Sequence, residues 1–138
     1  TKTAILFFHK ALIEKNGGKT DASTNYRVRR MKEILTYMNA HFCEDLEIAE
    51  LASQFHMSES AFCRFFKSIM HISAVTYVNN LRIAESCRLL LSTEEAISKI
   101  ASDCGFRNIS YFNRVFQERM HQTPGQFRSL SAENRTAI

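Results

Sequence analysis

Five histidines and four cysteines are the side chains of this 138-residue chain best suited to hold a metal ion or carry nucleophilic chemistry. Their spacing supports neither role. No two of His9, His41, His56, His71 and His121 stand at the i,i+4 separation that would set both imidazoles on one helix face. There is no H-E-x-x-H, no nucleophile elbow and no phosphate-cradling glycine loop. Cys43, Cys63, Cys87 and Cys104 lie far apart with no C-x-x-C pair, and no secretory signal precedes them, so they read as reduced thiols of a cytoplasmic protein. No catalytic residue, no cofactor and no metal site is expected, and the chain does not read as an enzyme. No apolar run approaches the ~18 residues of a membrane helix, so no membrane partner is expected either.

What remains is cationic chemistry. Eighteen Lys and Arg against fourteen Asp and Glu leave a formal charge of +4, a modest bias toward a polyanion. The order of the charges says more than their sum. Glu44, Asp45, Glu47 and Glu50 precede a stretch, 60–82, that holds Arg64, Lys67 and Arg82 with no acid. Glu94, Glu95 and Asp103 likewise precede Arg107, Arg114, Arg119 and Arg128, with only Glu118 among them.

Helices must position these cations, because one Pro and four Gly are too few for a turn-rich β fold. Residues 4–15 have the spacing of a short amphipathic helix. Residues 16–24 have the composition of a linker. The basic run Arg27, Arg29, Arg30 and Lys32 opens a helix to about 42, with Val28, Met31, Leu35, Met38 and Phe42 at steps of three or four. Asp45 is placed to cap a short helix with Ile48, Leu51, Ala52 and Phe55 buried. Ser58 caps 59–70. Ser73 caps a long helix over 74–91, with Val75, Val78, Leu81, Ala84 and Cys87 on one stripe. A second short helix over 95–103 stops at Gly105, which can take positive φ. Asn108 caps a helix to about 120, Pro124 opens a closing helix, and 131–138 read as a frayed end.

An internal repeat organises this series. Phe62, Arg64, Phe66, Met70 and His71 recur fifty residues later as Phe112, Arg114, Phe116, Met120 and His121. In the preceding short helix the offset is 49: Ile48, Leu51, Ala52 and Ser53 return as Ile97, Ile100, Ala101 and Ser102. The extra residue falls in the turn, where insertions are tolerated. A short helix, a three- or four-residue turn and a second helix is the helix-turn-helix plan. In the first unit Phe62, Phe65, Phe66, Ile69 and Met70 pack inward, while Ser60, Cys63, Arg64 and Lys67 face out. In the second, Phe112, Val115, Phe116 and Met120 pack inward, while Ser110, Asn113, Arg114 and Gln117 face out, with Arg107, Asn108 and Ile109 at the helix start. Basic and amide groups mixed with small residues suit a groove floor and its phosphates. Arg64 and Arg114 are expected to read bases, and Lys67, Arg107 and Arg128 to hold phosphates. A joining helix of about 18 residues spans roughly 27 Å. Successive major-groove faces on one side of B-DNA are about 34 Å apart, so one chain could enter two of them.

The stretch I-S-K-I-A-S-D-C-G-F-R-N-I-S-Y-F-N-R-V-F-Q-E-R-M-H-Q-T-P-G-Q-F-R, residues 97–128, resembles the signature of AraC/XylS-type transcription regulators. Its marks are Ile100-Ala101, Gly105-Phe106, Tyr111-Phe112, Arg114, Phe116, Thr123-Pro124 and Phe127-Arg128. The resemblance covers about residues 26–130 and implies an all-α fold of about seven helices, two helix-turn-helix units joined by a long central helix. It further implies sequence-specific binding of double-stranded DNA in the major groove, activation of transcription beside RNA polymerase, and residence in the cytoplasm with the nucleoid. Residues 1–25 then read as the tail and linker of an upstream regulatory or dimerisation domain through which the whole protein could dimerise. The chain departs from the pattern where His71 and His121 replace the Gly usual before the Ser/Thr-Pro element, where Ala74 replaces Pro, and where Ser86 replaces Ala. Two rival functions are a docking module that has lost DNA binding, opposed by the outward Arg64 and Arg114, and a DNA-alkyl-repair regulator, opposed by the missing cysteine cluster.

Overall fold

The computed structural model describes residues 22–136. The helix expected over 4–15, and most of the linker after it, lie outside these residues. The described residues form seven helices and no strand: α1 Ala22–His41, α2 Ile48–Gln54, α3 Glu59–Met70, α4 Ala74–Ser92, α5 Ile97–Asp103, α6 Ile109–Met120 and α7 Pro124–Thr136. Helix α1 already includes 22–24, read above as linker, and α7 runs past 131, read above as frayed.

Caps explain most boundaries. Ser58 Oγ accepts the Ala61 N–H at 3.2 Å, Ser73 Oγ the Thr76 N–H at 3.0 Å, and Asn108 Oδ1 the Tyr111 N–H at 3.1 Å. At α7 the cap is reciprocal: Thr123 Oγ1 accepts from Gln126 N–H while Gln126 Oε1 accepts from Thr123 N–H, and Pro124 fills the first helical position. Asp45 does not cap α2. Glu47 holds the N-cap position without a side-chain bond, and Asp45, three residues ahead of Ile48, instead pairs with Arg107. Helix α5 starts at Ile97 rather than 95, with Ala96 at its N-cap and Glu95 bound to Lys99.

The chain divides into two compact units. Among the described residues, the first comprises 22–41 and 46–78, the second 42–45 and 79–136. In the first, Met31, Ile34, Leu35 and Met38 of α1 are fully buried, as are Ala52, Phe62 and Phe66, and Leu51 and Tyr77 nearly so. Phe66 stacks edge-on with Tyr77 at 5.7 Å. The second is built on Ile83, Leu90, Ile100, Ala101, Cys104, Phe106, Phe112, Val115 and Phe116. Its rings run in series, Phe106 to Phe112 at 5.1 Å, Phe112 to Phe116 at 5.7 Å and Phe116 to Phe127 at 5.8 Å. Each aromatic pair adds about 0.5–1.5 kcal/mol beyond burial.

Helix α4 corrects one expectation. Val75 and Ala84, expected on a single buried stripe with Val78, Leu81 and Cys87, are exposed. The buried positions are Ala74, Tyr77 and Val78 in the first unit and Asn79, Leu81, Ile83, Ser86 and Leu90 in the second, so no one face is kept along the helix. Ser86, the departure from the usual Ala, is fully buried and donates its hydroxyl to Ile83 O at 2.7 Å.

Both helix-turn-helix turns are closed by one backbone device. After α2, His56 N–H bonds Ser53 O at 3.0 Å and Met57 N–H bonds Ala52 O at 2.9 Å. After α5, Gly105 N–H bonds Ser102 O and Phe106 N–H bonds Ala101 O, each at 3.0 Å. This is the Schellman pattern, and it needs a left-handed residue at its centre. His56 supplies φ +60° and Gly105 φ +102°. His71 and His121 take φ +62° and +58° at the ends of α3 and α6, so histidine adopts the backbone that the usual Gly would. Histidine is among the residues that tolerate this region. Gly105 has a second constraint: a Cβ there would stand 2.7 Å from Phe42 O and 2.8 Å from Arg82 Nε.

The two turns should therefore respond differently to substitution. His56→Gly is expected to change stability by less than about 1 kcal/mol, because relief of left-handed strain offsets the added chain entropy. Gly105→Ala is expected to cost about 2–4 kcal/mol, from left-handed strain plus overlap with a backbone carbonyl. Denaturant titration of both variants checks this; equal effects would mean that the space around Gly105 is not constrained.

Candidate nucleic-acid interface

The outward faces of α3 and α6 follow from their cores. With Phe62, Phe66 and Met70 inside, Ser60, Cys63, Arg64 and Lys67 are exposed. Phe65 and Ile69, expected inside, are half-buried. The Arg27 guanidinium covers Phe65 at 5.6 Å and donates to Ser68 Oγ at 3.0 Å, so this cation of the α1 run braces α3. Arg30 likewise lies over Phe55 and Tyr26. On α6, Phe112, Val115 and Phe116 are buried, while Ile109, Ser110, Asn113, Arg114 and Gln117 are exposed together with the capping Asn108.

Two arginines stand in matching registers on these faces. Arg64 makes only a long 3.4 Å bond to Ser60 O, within its own helix. Arg114 lies 5.1 Å over the Tyr111 ring, and Asn108, Ser110, Tyr111 and Arg114 line a shallow depression. Tyr111 is itself fixed, its hydroxyl accepting from the buried Asn79 Nδ2 at 2.8 Å. Among the described residues no carboxylate holds Arg64, Lys67 or Arg114. Their charge is open to an external anion.

Several other cations are engaged. Arg107 pairs with Asp45. Arg128, expected on phosphates, donates Nε to Leu90 O at 3.2 Å and Nη2 to Thr93 O at 3.3 Å, closing the carbonyl end of α4. Arg119 bonds Asn80 Oδ1. Arg82, noted above in the acid-free stretch 60–82, is half-buried: Nε donates to Phe42 O at 2.7 Å, Nη2 to Glu44 O at 3.1 Å, and the guanidinium covers Phe106 at 5.7 Å. Burial pulls its pKa below the usual arginine value. Asn79 and Arg82 carried no sequence signal, because their roles rest on contacts 32 and 40 residues away.

The thiols divide in the same way. Cys104 is fully buried and burial pushes its pKa up to about 12, while Cys63 is exposed on α3. Among the described residues no group of three or more His, Cys, Asp or Glu could hold a metal ion, and no helix is long and apolar enough to cross a membrane.

Two repeated short-helix, turn, long-helix units, each exposing an arginine on its second helix, define a tandem helix-turn-helix module. A helix-turn-helix domain family matches residues 51–129. The HTH-type transcriptional regulator YdeC of Bacillus subtilis is 30% identical over 112 residues, 81% of this chain and 38% of that protein. AdaA of the same organism, a bifunctional transcriptional activator and DNA repair enzyme, is 34% identical over 103 residues, 75% of this chain and 49% of that protein. The chain thus spans between about two-fifths and half of these relatives. The DNA-binding domain of AdpA, a global transcriptional factor solved with a target DNA, superposes with a TM-score of 0.71 at 23% identity, covering 75% of this chain and 94% of that one. This chain belongs to the AraC-type family of DNA-binding transcriptional regulators.

Arg128→Ala is expected to lower stability by about 1–2 kcal/mol, the loss of charge-assisted bonds at a helix end. It should leave the salt dependence of DNA binding unchanged. Thermal unfolding and a salt titration read the two effects; a shallower salt slope with unchanged stability would return Arg128 to the phosphate contacts.

Proposed function

We propose that this chain is the DNA-reading part of a transcription activator that enters two successive major-groove segments with α3 and α6. The observation that carries this reading is the pair Arg64 and Arg114, at one register of the repeat, exposed, and held by no carboxylate among the described residues. Arginine offers the bidentate donor pair that fits a guanine edge. Around the two arginines, Ser60, Cys63, Ile109, Ser110, Asn113 and Gln117 supply the smaller polar and apolar contacts that base edges require, Cys63 and Ile109 being suited to a thymine methyl. Lys67, Arg107 and the Asn108 end of α6 face phosphates. The nineteen residues of α4 span about 28 Å, comparable with one helical repeat of B-DNA. The family resemblance adds RNA polymerase as a partner, an upstream domain for effector binding or dimerisation, and a place on the nucleoid. Arg128 is left out of the interface because α4 uses it.

Selection of bound sites from a random duplex pool tests this. Arg64→Ala and Arg114→Ala should each cost about 1–3 kcal/mol and relax preference at one or two base pairs, in half-sites about one turn apart. Lys67→Ala should weaken all sequences alike and make the salt slope shallower by about one. If both arginine variants keep every position of the preferred site, the arginines are not base readers and the proposal fails.

A further inference from the structure

The segment Phe42–Asp45, although it follows α1, belongs to the second unit and is fastened to the turn ahead of α6. Arg82 grips the carbonyls of Phe42 and Glu44, and Gly105 lets the Phe42 carbonyl come close. Asp45 Oδ1 then pairs with Arg107 Nη2. Arg107 is the residue by which the second turn exceeds the first. Met57 is followed directly by the Ser58 cap, whereas Phe106 is followed by Arg107 and then the Asn108 cap. Both partners of the ion pair have side chains 64% exposed, so the pair is open to exchange with an anion from solution. It also stands beside the N-terminus of a twelve-residue helix, whose free N–H groups favour an anion.

We propose that Asp45 is a positioning residue that limits affinity: its carboxylate occupies Arg107 in the free domain, and a DNA phosphate takes its place on binding. This rests on the reading of α6 as a DNA-contacting helix. The carboxylate holds the guanidinium at the mouth of the helix, where a backbone phosphate would stand. It also competes with that phosphate on every sequence, so the chain binds all duplexes less tightly than its cations allow. Its cost in affinity is that of an exposed ion pair, about two- to fivefold. One internally neutralised cation also removes about 0.9 from the salt slope.

The test compares the unsubstituted chain, Asp45→Asn, Arg107→Ala and the double variant on a selected duplex and a random duplex, over a salt series, with circular dichroism as the check on folding. Asp45→Asn is expected to bind both duplexes about two- to fivefold tighter, with a salt slope steeper by about one. In the Arg107→Ala background the same substitution should bring no gain. An equal gain in that background would mean general charge repulsion and overturn the proposal, as would no gain in the single variant. If Asp45→Asn loses helix content, Asp45→Ser is read in its place on the same terms: a gain that vanishes in the Arg107→Ala background supports the proposal, and no gain overturns it. Absence of salt-dependent binding by the unsubstituted chain would instead overturn the DNA-reading function, and this proposal with it.

Discussion

A short helix that must stop and reverse within three residues leaves carbonyls that the helix can no longer satisfy. Everything functional in this chain depends on how α2 and α5 solve that problem. Each ends with two backbone bonds around a left-handed residue, His56 or Gly105. Ala52 and Ala101, whose carbonyls accept the closing bonds of the two turns, are both buried. Small side chains there let the helices of each unit approach, and the apolar halves of α3 and α6 become core. The polar halves are left outside as a consequence. The exposed arginines follow from the turn geometry, with no separate device needed to present them.

The two turns share this device, yet they carry different loads. The His56 turn needs only a tolerable φ, and histidine can supply one at modest strain. The Gly105 turn also accepts the Phe42 carbonyl and the Arg82 guanidinium at distances that no side chain permits. Burying a guanidinium is costly unless its donors are filled. Arg82 fills two of them with the carbonyls of Phe42 and Glu44 and covers Phe106 with its plane. Near-identical backbone bonding thus coexists with a side chain at His56 and no room for a Cβ at Gly105.

Much of the fold was legible because local rules set it. The caps at Ser58, Ser73 and Asn108, the stop at Gly105 and the inward Phe62, Phe66, Phe112 and Phe116 all follow from spacing within a few residues. The repeat added the pairing of helices, since matched Arg, Met and His are hard to obtain from amphipathicity alone. Where the reading missed, a distant partner had intervened. Asp45 has the chemistry of a helix cap but is drawn to Arg107, 62 residues away. The single stripe predicted on α4 failed because its buried positions serve two cores in turn. The carbonyls that bind Arg82 and Arg128, 35 to 40 residues away, left no mark in the local spacing.

Basic side chains differ widely in how far they are engaged within the fold. Net charge and charge order treat every arginine as equally available. In this chain Arg27 and Arg30 brace rings, Arg82 and Arg128 satisfy carbonyls, and Arg119 bonds an asparagine. These guanidiniums are used for their planar donors and broad apolar faces, properties in which lysine is a poor substitute. Their charge still contributes to the long-range field that draws in a polyanion. It does not contribute a donor free to meet a base or a phosphate. Arg64 and Arg114, on the exposed faces of the two repeated helices, are held by no carboxylate among the described residues. A basic composition points to the class of partner, and the internal engagement of each cation decides which residues can touch it.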